Sequence, residues 1–173
     1  MRAILKFGLF LLAILLPTGC SSDDDEERLG IEITQVNVDD EVRAFFEKEL
    51  TSFSDFYPTA FFVMMEGNAH FVINSTEEFQ SIYRGHEQLP EIDFSKYTLI
   101  IGQQKKNVKL WKESTGEFLE QKLFQTEEGY QMYLYCKSII PDAVLCSITY
   151  FYYWGLYPKQ DIKDFTVNIK LVK

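Results

Sequence analysis

Residues 144–171 read VLCSITYFYYWGLYPKQDIKDFTVNIKL, and two different strand signals lie within them. Phe165, Val167, Ile169 and Leu171 alternate with Thr166, Asn168 and Lys170. That period of two is the mark of a strand with one face buried and the other wet. Upstream, Tyr150–Trp154 is aromatic at every position, so a strand over Thr149–Tyr157 carries Tyr150, Tyr152 and Trp154 on one face and Phe151 and Tyr153 on the other. Working backwards, Tyr97–Gly102 is apolar on both faces, which predicts a central strand. Further strands are expected at Val108–Trp111, Glu117–Phe124, Tyr130–Tyr135 and Val144–Trp154. Thr115-Gly116, Glu128-Gly129 and Pro141-Asp142 separate them with turn chemistry, the pattern of a meander.

Towards the N-terminus helices appear. Ile31–Val38 alternates as a strand with a phase slip at Thr34 and Gln35. Asp39 and Asp40 then offer caps to a short helix with Val42, Phe45, Phe46 and Leu50 on one face. Ala60–Glu66 and Ala69–Ile73 flank Gly67-Asn68 and predict a tight hairpin. Ser75-Thr-Glu-Glu78 is a capping box that starts a second helix through Phe79, Ile82 and Tyr83, with Gly85 ending it. The expected fold is a single α+β domain over residues 31–173, a mainly antiparallel sheet or meander with two short covering helices.

The first thirty residues read as an address. Arg2 and Lys6 precede an apolar run from Phe7 to Leu16, far shorter than the roughly 20 residues a membrane-crossing helix needs, so residues 1–19 read as a signal peptide. The run ends Leu16-Pro-Thr-Gly-Cys20, which resembles a bacterial lipobox with Pro17 where Leu is commonest. That resemblance implies lipidation of Cys20, a stable membrane anchor once two or more acyl chains are attached, and a mature chain starting there. Residues 20–30 then form a tether whose Asp23–Glu27 run of five acids cannot be buried together. The run is similar to the acidic signal that exports lipoproteins to the outer face of the outer membrane in some Gram-negative groups, which gives the expected localisation. From Arg28 onward there are 21 acids and 15 bases, an ordinary solubilising −6 within the −9 of the whole chain. With no basic excess, nucleic acid is not an expected partner. With 46% apolar content the chain is not disordered.

Beyond Cys20, two cysteines remain. Cys136 and Cys146 flank the Pro141-Asp142 turn and, in an oxidising compartment, either form a short-loop disulfide or stay two buried thiols. No metal-ligand spacing accompanies them, and no cofactor is expected. His70 and His86 are the only histidines. A catalytic histidine needs a nucleophile and an orienting acid nearby in space; His70, in a strand beside Phe71, reads instead as a structural group, and His86, after the helix-ending Gly85, as a solvated one. Glu77/Glu78 and Glu127/Glu128 are sequence neighbours that suit a cap and a turn better than general acid–base work. Nucleotide, hydrolase and zincin motifs are absent, so no catalytic residue is assigned and an enzyme is not expected. The row Tyr150, Tyr152, Trp154 is the most suggestive feature: left partly open, such rings suit sugars or a partner's apolar edge; covered, they are core.

The segments Val72-Ile-Asn-Ser-Thr-Glu-Glu-Phe79, Leu89-Pro-Glu-Ile-Asp-Phe-Ser-Lys-Tyr-Thr-Leu-Ile-Ile-Gly102 and Tyr152-Tyr-Trp-Gly-Leu-Tyr-Pro-Lys159 resemble motifs of small cell-envelope lipoproteins of gut and oral Gram-negative bacteria. The first two are also distantly similar to the C-terminal domain of a subunit of a bacterial surface-protease complex. The lipoprotein group brings no established activity, and the protease-complex relative is a noncatalytic partner. The resemblance therefore implies a lipid-anchored, noncatalytic binding or assembly module that docks on an envelope protein. The alternative is a carbohydrate-binding surface lipoprotein using the Tyr150, Tyr152, Trp154 row.

Overall fold

Strand β3 (Tyr97–Asn107) is apolar on both faces because it lies in the middle of three layers. The computed structural model describes residues 30–50, 60–62, 65, 67–107, 120–137 and 148–172, with backbone alone at 106–107, 136–137, 148–151 and 171–172. Leu99 and Ile101 point into one cluster with the helices, and Ile100 points into a second cluster against another sheet. Beside β3 lie β2 (Ala69–Ile73) and β6 (Ile148–Pro158), giving a three-stranded antiparallel sheet in the order β2-β3-β6. The other sheet has four strands, β1 (Ile31–Ile33), β4 (Glu120–Thr126), β5 (Gly129–Lys137) and β7 (Phe165–Val172), in the order β1-β4-β5-β7. All pairings are antiparallel except β5 with β7. The chain is thus α+β with largely antiparallel sheet and two short helices.

Helix α1 (Asp40–Leu50) starts where the Asp39 carboxylate accepts the Val42 N–H at 2.9 Å, and it buries Val42, Phe45, Phe46 and Leu50, the face its spacing predicts. Helix α2 (Thr76–Ile82) begins at the expected capping box: Ser75 Oγ accepts from the Glu78 N–H at 3.1 Å, and Glu78 Oε2 accepts from the Asn74 N–H at 2.6 Å. It ends at Ile82, earlier than Gly85, because Tyr83 turns extended. There its hydroxyl donates to Glu49 and accepts from the Glu87 N–H. Burial and the Glu49 bond push the Tyr83 phenol up to about 12.

Two expectations are corrected. Ala60–Phe62 is a bend, not a strand, so no hairpin forms around Gly67-Asn68 through those residues, and β2 pairs with β3 instead, Phe71 opposite Ile101. Consecutive Phe61 and Phe62 both sink into the helix-side cluster, which the alternating faces of a strand forbid. The Gln103 amide donates to the carbonyls of Met65 and Gly67 at 3.2 and 2.8 Å, doing for that backbone what a partner strand would. The strand expected over Ile31–Val38 stops at Ile33. At the phase slip the chain leaves one sheet for the other, and the Val36 N–H donates to the Leu156 carbonyl at 2.7 Å.

Apart from Val108–Trp111, which lies outside the described residues, the strands expected after Pro90 are found at β3 to β7, but they divide between two sheets. Among the described residues only β4–β5 is a tight two-residue turn, with Thr126 opposite Gly129. Half of the buried residues in the helix-side core are phenylalanines, whereas the inter-sheet core holds Leu123, Met132, Leu134, Tyr153, Tyr157 and Phe165. Gly102 and Gly155 are required by that second core. A Cβ on Gly102 would lie 1.9 Å from Tyr153 Cζ, and one on Gly155 would meet the Gln121 amide at 2.6 Å. Cys20, the acidic tether, Cys146, Val108–Trp111 and the Thr115-Gly116 and Pro141-Asp142 turns lie outside the described residues, as do the side chains of Cys136 and Tyr150.

Candidate functional site

Aromatic side chains gather on two faces. Along β6, Tyr152, Trp154 and Leu156 face the helices, and Tyr153 and Tyr157 face the other sheet. Trp154 stacks on Phe46 with ring centroids 4.3 Å apart and planes 22° apart, and Tyr152 stacks on Phe62 at 5.8 Å. Both are half-buried, each with a flat face turned onto a phenylalanine of the protein itself. The ring faces in this part of the row are thus already occupied. On the opposite face, burial raises the phenols of Tyr153 and Tyr157. Tyr157 accepts from the Gln121 amide at 3.1 Å, whereas the buried Tyr153 hydroxyl is approached by Gln104 without completing a hydrogen bond.

The second face belongs to the four-stranded sheet and is turned away from the inter-sheet core. Register decides its members. Met132 and Leu134 of β5 point inward, so Gln131, Tyr133 and Tyr135 point outward. Across β4 they meet Phe124, Lys122 and Glu120, and across β7 they meet Thr166, Asn168 and Lys170. Phe124 and Tyr133 form an edge-to-face floor with centroids 5.6 Å apart, and both are buried. Lysines bracket the rings: Lys122 Nζ is 5.5 Å from the Tyr135 centroid and Lys170 Nζ is 5.6 Å from that of Tyr133, within cation–π range. Lys122 also reaches Glu120 at 3.7 Å.

Hydrogen bonds set the amides of this face. Gln131 Oε1 accepts from the Tyr133 hydroxyl at 2.9 Å and from Asn168 Nδ2 at 3.4 Å. Those two bonds orient both amides and leave the Gln131 NH₂ and Asn168 Oδ1 without a protein partner among the described residues. A donor and an acceptor therefore stand side by side next to Tyr133, with half-buried Tyr135 two residues further along β5. The sequence expectations did not include Gln131, Tyr133, Tyr135, Asn168 or Lys170. The signal was present in Gly129–Lys137, where Gln131, Tyr133 and Tyr135 alternate with Met132 and Leu134.

Other candidates have structural occupations. His70 Nε2 lies 2.7 Å from Asp164 Oδ1 while its ring packs on Phe165, joining the two sheets, and His86 is exposed. The His70 bond holds the Asp164 carboxyl below its ordinary range. Asp93 is lowered to about 2 by Lys96 and Ser95 in the turn before β3. The three quoted motif segments converge on one knot: Lys159 Nζ donates to Asn74 O, Asn74 Oδ1 and Phe94 O at 3.2, 3.0 and 2.9 Å, and Thr98 Oγ1 donates to Asn74 Oδ1 at 2.8 Å. Every partner there is a group of the protein itself, so those residues serve as scaffold. Among the described residues, no three His, Cys, Asp or Glu side chains are grouped to hold a metal ion, and no helix is long and apolar enough to cross a membrane. No family model, curated protein or solved structure matches the chain.

Proposed function

We propose that the domain is a noncatalytic carbohydrate-binding module, carried on a membrane by lipid at Cys20 and presented at the cell surface by its acidic tether. The observation that carries the sugar reading is the oriented pair of Gln131 NH₂ and Asn168 Oδ1 beside Tyr133, on the same sheet face as Tyr135. Neighbouring sugar hydroxyls both donate and accept, so a fixed donor–acceptor pair suits them. The apolar face of a pyranose suits a tyrosine ring that loses little entropy on binding. Docking on an envelope protein has less support, because among the described residues the exposed large apolar side chains, Ile31, Met65 and Ile169, belong to separate elements.

The test is a glycan array probed with the mature chain from Cys20 in detergent, alongside Asn168→Ala and Tyr135→Ala. Retention on a defined set of glycans, lost in both variants, supports the site. Retention on none overturns it, and affinity capture from the native envelope returning a stoichiometric protein partner would move the function to assembly. For the anchor, Cys20→Ala should release the protein from membranes, and protease shaving of intact cells should cut it.

A further inference from the structure

Resting on the glycan reading above, we infer that the ligand is an anionic sugar polymer whose carboxylate or sulfate is met by Lys170. The charges on the outward sheet face are unevenly placed. Its acids lie on the β1 and β4 side, Glu32 opposite Phe124 and Glu120 opposite Tyr135. Glu120 is within 3.7 Å of Lys122, so that pair offsets itself locally. On the β7 side the strand itself carries no acid among the described residues: Lys170 is the only charged residue of Phe165–Val172. The adjacent Asp164 is turned to His70. Glu127 and Glu128 sit in the turn beyond Thr126 and Gly129, at the Phe165 end of the strand and away from Lys170.

Lys170 is exposed, and its contact within the face is the ring of Tyr133, which attracts the ammonium without neutralising it. It stands opposite Tyr135, and its neighbour on the same face of β7 is Asn168. A sugar polymer running along β5 from the Gln131–Asn168 pair towards Tyr135 would therefore pass the Lys170 ammonium, which lies over Tyr133 on the same face as Asn168. In a domain whose folded part is −6, a lone lysine beside an oriented amide pair favours a negative group there and discriminates against neutral sugars.

The experiment measures binding of the full mature chain to polygalacturonate, to its neutral methyl ester, and to dextran sulfate against dextran. Wild type should bind at least one acidic polymer about tenfold or more tighter than its neutral counterpart, the scale of one hydrogen bond to a charged group. Raising salt should weaken it. Lys170→Met should erase the acidic preference and its salt dependence, Lys170→Arg should keep both, and melting temperatures should stay close to wild type because the residue is exposed. Preference for the carboxylated or for the sulfated pair identifies which anion is read. Equal binding to acidic and neutral members, or an acidic preference that survives Lys170→Met, overturns the inference and leaves the glycan reading standing. Binding to none of the four, together with an empty array, removes both.

Discussion

The helix-side layer and the outer face of the four-stranded sheet are both rich in aromatic rings, yet the rings are satisfied in opposite ways. Beneath α1 and α2 they satisfy one another: Phe46 lies within 6.1 Å of Phe61, Phe79 and Trp154, and Phe61 and Phe79 are parallel to within 2°. On the outer face they are held by lysines and amides, with Lys122 and Lys170 over two tyrosines and Gln131 fixed between Tyr133 and Asn168. Rings that stack on their own kind have used their faces for stability. Rings ringed by cations and oriented amides sit among groups that can still exchange partners with a ligand. Aromatic content alone does not separate the two; the chemistry of the neighbours does.

The sharpest way to break the comparison is Phe46→Ala. Phe46 is fully buried at the centre of the stack, and removing it should cost about 3–5 kcal/mol, read as a lower urea midpoint at unchanged slope. Any glycan binding should persist in the fraction that stays folded. A loss under about 1 kcal/mol would mean the stack is not what secures the helices. The converse substitution, Tyr135→Ala, should weaken binding about tenfold while shifting stability far less, since hot-spot aromatics at a contact dominate affinity. If instead it unfolds the protein, the outer face is core and the contrast fails.

Smaller effects come from pH. The Tyr83 phenol is raised in the folded state from 10.0 to about 12, so the unfolded chain loses its proton first. Stability is therefore fully present below about pH 10 and declines as pH rises towards 12. Tyr83→Phe should lessen that decline in chemical denaturation, leaving the share that the raised Tyr153 and Tyr157 phenols contribute from the inter-sheet core. Smallest is the inter-sheet contact. Asp164 is depressed by His70, so its contribution is present above the ordinary carboxyl value of 3.8 and is lost as pH falls through the folded value. Being 81% exposed, it should contribute only a few tenths of a kcal/mol, abolished in Asp164→Asn.

Much of this was legible in the residues. The face of α1, the capping box of α2 and the central position of β3 are local patterns, and local patterns survive folding. The Gly67-Asn68 hairpin failed because β2 finds its partner across α2, nearly thirty residues away, and sequence proximity says nothing of such a pairing. The division into two sheets was hidden for a related reason: β4 and β5 alternate alike whether they continue one sheet or start another. The aromatic row of β6 left two readings open because aromatics on both faces mark a strand between two layers, and periodicity cannot say how each face is covered. The outer-face residues needed register, since only the pairing of β4, β5 and β7 brings Lys122, Gln131 and Asn168 together.

Strands β3 and β6, each of eleven residues paired along their whole length, contribute side chains to both cores. That shared ladder couples the two halves mechanically: opening the helix layer uncovers one side of the same hydrogen bonds whose other side seals the sheets. Native-state amide exchange should therefore find the protons of β3 and β6 the last to exchange, released only by global unfolding. The seven-residue α2 should exchange through smaller openings. A protein with two cores then behaves as one cooperative unit, and a surface on its outer sheet stays rigid for as long as that central ladder holds.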